Sequence, residues 1–361
     1  MTDVCANSSR QGLSQRRYRA VCFDLDGTLL PMDLDAFLSE YYTQLGRFMV
    51  SRGLDAATFK KSLNSGVKAM VAHESTETNC DVFWGRFFEA VRENCAVARS
   101  SFISTSVPME EISQDEMRAL FEEFYDRRFG AIGRDVVPDR NMVRAVATLR
   151  EKGYPIVLAT MPLFPPRALE HRCEWSGLSL GDFVRATNYE NSTAAKPSLR
   201  YYAENLAALG VGGSDVLMVG NNTVEDLAFA QLGADTYLVT DHLLNPIDLD
   251  LSATRHGTTA DFCAWVSELP DCEDPVAKVE TGAIDPALTM RYLEETLVAT
   301  PEELARAKEN EARSRAANDR TGDAVSARAE SAQGVVPGDV PAGYVPVGME
   351  EALGTSLSEG A

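Results

Sequence analysis

Val21-Cys22-Phe23-Asp24-Leu25-Asp26-Gly27-Thr28-Leu29-Leu30 is a short apolar run that ends in two carboxylates and a glycine. Val21 to Phe23 bring a β-branched and an aromatic residue, as an interior strand of a parallel sheet requires. Gly27 marks a sharp bend. Alternate residues of a strand share a face, so Asp24 and Asp26 leave it on one side until the bend swings Asp26 outward. Two acids this close repel unless a positive charge stands beside them. A hard divalent cation, which takes oxygen ligands, would meet that need. The strand end is also where open α/β sheets place their ligands. The plainer alternative is an acidic surface turn after a core strand.

Working outward, residues 1–16 are polar and read as a disordered leader. Residues 33–137 read as a helical insert. Asp33 can cap a first helix with Leu34, Phe37, Leu38, Tyr41, Leu45, Phe48 and Met49 in one stripe, and Gly53 can end it. Phe59, Leu63, Val67 and Met70 mark a second helix, and Phe83, Phe87 and Val91 a third. Ser113 with Glu116 forms a capping-box signature for a fourth. Leu30-Pro31, Gly130 and Gly133 flank the insert and are candidate hinges.

After Pro138, helix and apolar strand alternate, which is the doubly wound signature. The predicted strands are Pro155–Thr160, a short Phe183–Ala186, Asp215–Val219 and a last one at Thr236–Thr240. Thr160 ends the first of these. Lys196 precedes Pro197 and a helix over Tyr201–Leu209. The strand at Asp215–Val219 opens into Gly220-Asn221-Asn222-Thr223-Val224-Glu225-Asp226. Glu225 is expected on the surface. Beyond residue 271 the composition turns to Ala, Glu, Gly, Pro and Ser, and residues 271–361 read as a mostly disordered acidic tail with one solvated helix.

The first stretch resembles the Asp-x-Asp-Gly-Thr motif of the haloacid dehalogenase-like hydrolase superfamily. Thr160, Lys196 and the Gly220–Asp226 loop follow in the order of that family's second, third and fourth motifs. The resemblance implies a Rossmann-like α/β core over residues 17–32 and 138–270, with residues 33–137 as a cap domain. It implies that Asp24 is the nucleophile of an aspartyl-phosphate, and that Asp26 protonates the leaving oxygen and then activates water. It implies phosphoryl contacts from Thr160, Lys196 and Leu25, with Thr28 holding the turn. It also implies Mg2+ at the Asp24 carboxylate and the Asp26 backbone carbonyl, with Asn222 and Asp226 as the other metal candidates.

The chain departs from the family at two points. Relatives usually carry an acid at one of the first two positions after the glycine of the fourth motif, and here both are amides, Asn221 and Asn222. Many also carry Asn after the second-motif residue, where this chain has Met161. The expected activity is Mg2+-dependent hydrolysis of a small phosphomonoester. The rival expectation is a non-catalytic protein whose metal site has decayed. Asp26 argues against a dehalogenase, which needs no acid there, and nothing marks a phosphomutase.

A net charge of −20 disfavours a nucleic-acid partner. No apolar run reaches membrane-spanning length. Seven cysteines without close pairing motifs suit a reduced, cytoplasmic protein. Four scattered histidines without a Cys-x-x-Cys argue against zinc.

Overall fold

The computed structural model describes residues 17–100 and 111–330. The expected leader and the last part of the expected tail, residues 331–361, lie outside the described residues. Strands β1 (Ala20–Phe23), β2 (Ile156–Leu158), β3 (Arg185–Ala186), β4 (Val216–Gly220), β5 (Asp235–Val239) and β6 (His256–Gly257) form one sheet in the order β3-β2-β1-β4-β5-β6. Every neighbouring pair is parallel. This is the expected Rossmann-like α/β core, extended by the two-residue β6, which is too short to leave a periodic signal.

β1 is central, and all four of its residues are fully buried. Phe23 pairs with Leu158 on one side and Val219 on the other. The chain therefore builds the sheet outward from β1 in one direction, then returns and builds from β4 in the other. The crevice of such a sheet opens at the carboxyl ends of the strands where the direction reverses. Asp24 stands there, the first residue past β1.

The insert is helical. Helices α1 (Leu34–Ser51), α2 (Ala56–Ala72), α3 (Asn79–Ser100) and α4 (Gln114–Arg127) fall where the apolar stripes place them. Asp33 and Asp55 cap α1 and α2 through Ala36 N and Thr58 N at 3.0 and 2.8 Å, and Ser113 and Glu116 make the reciprocal capping box of α4. Their apolar faces meet in an aromatic cluster in which Phe87 touches both Phe59 and Phe121, with ring centroids 6.2 and 5.9 Å apart.

Two backbone bonds tie the start of α3 to the α/β core, Asn79 N to Ser192 O at 2.8 Å and Cys80 N to Tyr189 O at 2.7 Å. The Asn79 side chain, fully buried, donates to Pro162 O and Ala194 O at 3.0 and 3.2 Å.

The core helices are α5 (Arg140–Glu151), α6 (Pro166–Trp175), α7 (Leu199–Leu209) and α8 (Thr259–Glu268). The glycines expected as hinges have a packing role. A methyl group on Gly130 would meet the His171 ring at 2.9 Å, and one on Gly133 would overlap Trp175. Both glycines let the returning chain lie flat on α6, and Trp175 Nε1 donates to Gly130 O at 3.2 Å.

Residues 271–300 also depart from the expected disorder, whereas the helix expected within the tail is present. Helix α9 (Pro286–Thr296) packs on α7, and α10 (Pro301–Glu330) follows. One anchor of the segment is a buried cation that composition does not reveal. Arg185 of β3 donates to Glu280 O and Gly282 O at 2.6 and 2.9 Å, and Asn191 donates to Thr281 O at 3.0 Å. The segment thus satisfies polar groups of an edge strand and buries Val276 and Ile284.

Candidate active site

Four loops bring the chemistry together at the carboxyl edge of the sheet. Asp24 continues β1 and is buried. Its Oδ1 lies 2.8 Å from Lys196 Nζ, on the loop between β3 and α7. The same ammonium lies 2.7 Å from Asp226 Oδ1. Burial disfavours the Lys196 charge, but Asp226 and Asp24 more than offset it and hold the ammonium well above the usual lysine range. Burial pushes Asp226 up to about 6, against the pull of Lys196.

The loop after β4 holds Asp226 in place. Its Oδ2 accepts from Asn221 N and Asn222 N, both at 2.9 Å. Gly220 makes this possible, because a Cβ there would overlap the Asp226 carboxyl. The turn after β1 depends on Gly27 in the same way. It has a φ of +76°, and a side chain would run into Asn221.

Thr160, past the end of β2, has a fully buried hydroxyl with no hydrogen-bond partner. Its carbonyl accepts from Thr187 Oγ1 and Tyr201 Oη at 2.8 and 2.9 Å, so the residue is firmly held. An unmet buried hydroxyl costs free energy, and a bound group that accepts its proton would relieve it. Leu25 is buried and accepts at its carbonyl from Thr28 N and Leu30 N, which closes the turn.

Arg172 is the site residue that motif reading misses. It sits on α6 and is 1% exposed. Its Nε donates to Asp26 Oδ1 at 3.2 Å and its Nη2 to Asp26 Oδ2, while the guanidinium lies 4.9 Å from the centroid of the Phe164 ring. Nη1 is buried and has no partner. Burial raises the Asp26 pKa, Arg172 opposes the rise and Asp24 adds to it, and the net direction is upward. A signal was present in the sequence. Arg172 falls three and four residues after Leu169 and Ala168, inside the buried arc of an amphipathic helix.

The two amides differ. Asn222 turns back on its own loop, and its Oδ1 accepts from Val224 N and Glu225 N at 2.9 and 3.1 Å. Asn221 is the amide beside the nucleophile, since Thr28 Oγ1 lies 3.3 Å from Asn221 Oδ1 and 3.4 Å from Asp24 Oδ2. A narrow cleft opens over Asp24, Asp26, Arg172, Asn221 and Asn222. Its walls are Leu34 and Leu38 of the insert with Met161, Leu163, Phe164 and Leu244. Glu225, expected on the surface, lines this cleft, whereas Thr160, Lys196 and Asp226 do not.

The chain belongs to the haloacid dehalogenase-like hydrolases, whose family profile matches residues 18–233. No curated protein matches it. Among solved structures, it is similar to a predicted phosphoglycolate phosphatase from Haemophilus somnus 129pt, at 15% identity over 68% of this chain and 97% of that one, with a TM-score of 0.39. It is similar to the L-2-haloacid dehalogenase RSc1362, at 21% identity over 70% and 99% of the two chains, with a TM-score of 0.37. It is also similar to CbbY from Rhodobacter sphaeroides, at 15% identity over 68% and 96%, with a TM-score of 0.40. Likeness at this level says nothing of this chain's substrate.

The family implies Mg2+, and the donors left for it here carry a single carboxylate, Asp24, with the Asp26 main-chain carbonyl and Asn221 Oδ1 as neutral oxygens. Both Asp226 oxygens are taken by Lys196 and the two backbone N–H groups. The Asn222 oxygen caps its own loop, and the Asp26 carboxylate, though not its main-chain carbonyl, carries Arg172. No cluster of three or more His, Cys, Asp or Glu suited to a metal occurs among the described residues. Mg2+ demands a near-octahedral set of hard oxygens, and a guanidinium beside the acids repels it.

Proposed function

We propose that the chain hydrolyses a small phosphomonoester through an aspartyl-phosphate on Asp24. One observation supports this most. A buried carboxylate held by a buried ammonium stands beside a neighbouring strand end whose threonine hydroxyl lacks a partner, as a phosphoryl group would require. In the first step an Asp24 oxygen attacks phosphorus, and the bond from phosphorus to the ester oxygen breaks. Asp26 gives its proton to that oxygen. In the second step water attacks phosphorus and returns a proton to Asp26, so phosphate leaves and the Asp24 carboxylate is restored. Lys196 and Thr160 face the charge on the phosphoryl oxygens.

The raised Asp26 pKa suits a group that must carry a proton at one stage and lose it at the next. The apolar walls of the cleft favour a leaving group with aliphatic or aromatic surface over a bare sugar. The negative charge of the chain disfavours nucleic acid as the substrate. The six described cysteines are unpaired, which supports a reducing, cytoplasmic setting; no described helix is long and apolar enough to cross a membrane.

A second reading rests on the two amides of the fourth motif, which leave a fold that binds a ligand without turning it over. One experiment separates them: hydrolysis of an aryl phosphate by the wild type beside Asp24→Asn. Turnover in the wild type and none in the variant supports the phosphatase. Equal rates in both would end the covalent mechanism.

A further inference from the structure

Three observations converge on Arg172. It is a buried cation at the cleft. It neutralises the acid that family members keep beside their metal, through Nε and Nη2. It retains a buried donor, Nη1, that no group of the protein accepts. A fully buried arginine ordinarily satisfies its five N–H groups, because each unmet donor is costly. A structural ion pair with Asp26 alone would explain two of the nitrogens and leave the third unexplained.

We propose that Arg172 is the resident cation of this site: it balances Asp26 and offers Nη1–H to an oxygen of a phosphoryl group held at Asp24, so that oxyanion binding needs no divalent metal. The inference rests on the phosphomonoester reading above.

The charge balance follows. Once Asp26 has given up its proton, the site holds the carboxylates Asp26 and Asp226, with Asp24 phosphorylated, against the cations Lys196 and Arg172. In relatives with an acid after the motif glycine, one more negative charge calls for a divalent ion. Here Asn221 removes that charge, and a monovalent guanidinium suffices. The Phe164 ring lies against the Arg172 guanidinium without consuming an N–H. A guanidinium is also suited to oxyanions, because its N–H groups match two oxygens at once. Arg172 thus meets Asp26 along one edge and the substrate with its remaining nitrogen.

The test is binding of inorganic phosphate to the full-length wild type by calorimetry, in excess EDTA and in excess Mg2+, together with Arg172→Lys in EDTA. The lysine keeps the charge opposite Asp26, and a thermal melt establishes that the variant folds. The expected result is a dissociation constant that changes by less than about twofold between the two conditions, and that rises by about tenfold or more in Arg172→Lys, as loss of one charge-assisted bond predicts. Binding that appears only with Mg2+ would overturn the proposal and leave the phosphatase reading standing. Unchanged affinity in a folded Arg172→Lys would overturn it as well. No phosphate bound under either condition would remove both the proposal and the phosphoryl reading beneath it.

Discussion

Lys196 and Asp226 form a buried ion pair, Nζ to Oδ1 2.7 Å, although they come from loops 30 residues apart. The remaining Asp226 oxygen is filled by two backbone N–H groups. Asp226 is therefore a fixed counter-charge that aims the ammonium at Asp24. Lys196→Met should abolish turnover and cost about 3–5 kcal/mol of stability, because it strands two buried carboxylates. Urea unfolding at neutral pH measures the loss. A variant of wild-type stability would show that the pair is weak.

Gly220→Ala tests the same pair from the strand side. The added methyl would overlap the Asp226 carboxyl, so the acid must move away from Lys196. We expect a loss of about 1–3 kcal/mol, typical of overpacking, together with a fall in kcat. Normal turnover in this variant would mean that Asp226 does not position the lysine.

The two amides should respond differently to a carboxylate. Asn221→Asp places an acid beside Thr28 and Asp24, and its Mg2+ affinity should exceed that of the wild type. Asn222→Asp keeps an oxygen for Val224 N and Glu225 N, so its Mg2+ titration should match the wild type. A calorimetric titration of both variants decides the point, and the reverse ranking would show that the loop turns the other way.

His73 gives a pH dependence. Burial lowers its pKa from 6.5, while the bond to Asn79 opposes the shift. The ring lies 2.7 Å from Asn79 Oδ1 through Nε2 and 3.1 Å from Ser75 Oγ through Nδ1. A depressed pKa means that the unfolded chain takes the proton first, so His73 contributes stability above pH 6.5 that is lost as pH falls through its folded pKa. The melting temperature should drop below pH 6.5 in the wild type more steeply than in His73→Gln. Parallel curves would show that His73 does not contribute.

Asn79 carries a larger effect. Asn79→Ala leaves Pro162 O and Ala194 O without their donors. The expected cost is about 1–3 kcal/mol, read as a shift in the urea midpoint with little change in slope.

Much of this site was legible because its parts are spaced along the chain in a fixed order. Asp24, Thr160 and Lys196 each follow a strand, and periodicity finds strands. The insert was legible for the same reason, since Asp33 and Ser113 cap helices whose apolar stripes are regular. What escaped is held by buried arginines. Arg172 and Arg185 look like solvated residues in a linear reading, and only tertiary contacts show what they neutralise. Arg185 and Asn191, with the packing of α9 on α7, hold the chain past 271 where composition suggested a loose tail. The glycines at 130 and 133 make a close approach, which a linear reading cannot tell from a hinge. Asn222 was the metal candidate by its place in the motif; both amides line the cleft, and a linear reading does not show that Asn221 is the one beside Thr28 and Asp24.

The backbone bonds from Asn79 and Cys80 into Ser192 and Tyr189 have a mechanical consequence. A body joined to another at two linkers can swing about the line between them. The helical insert has a third attachment off that line, a few residues before Lys196. Rotation of the insert must break these bonds, at a cost of about 1 kcal/mol each, so opening of the cleft is coupled to the loop that carries the ammonium.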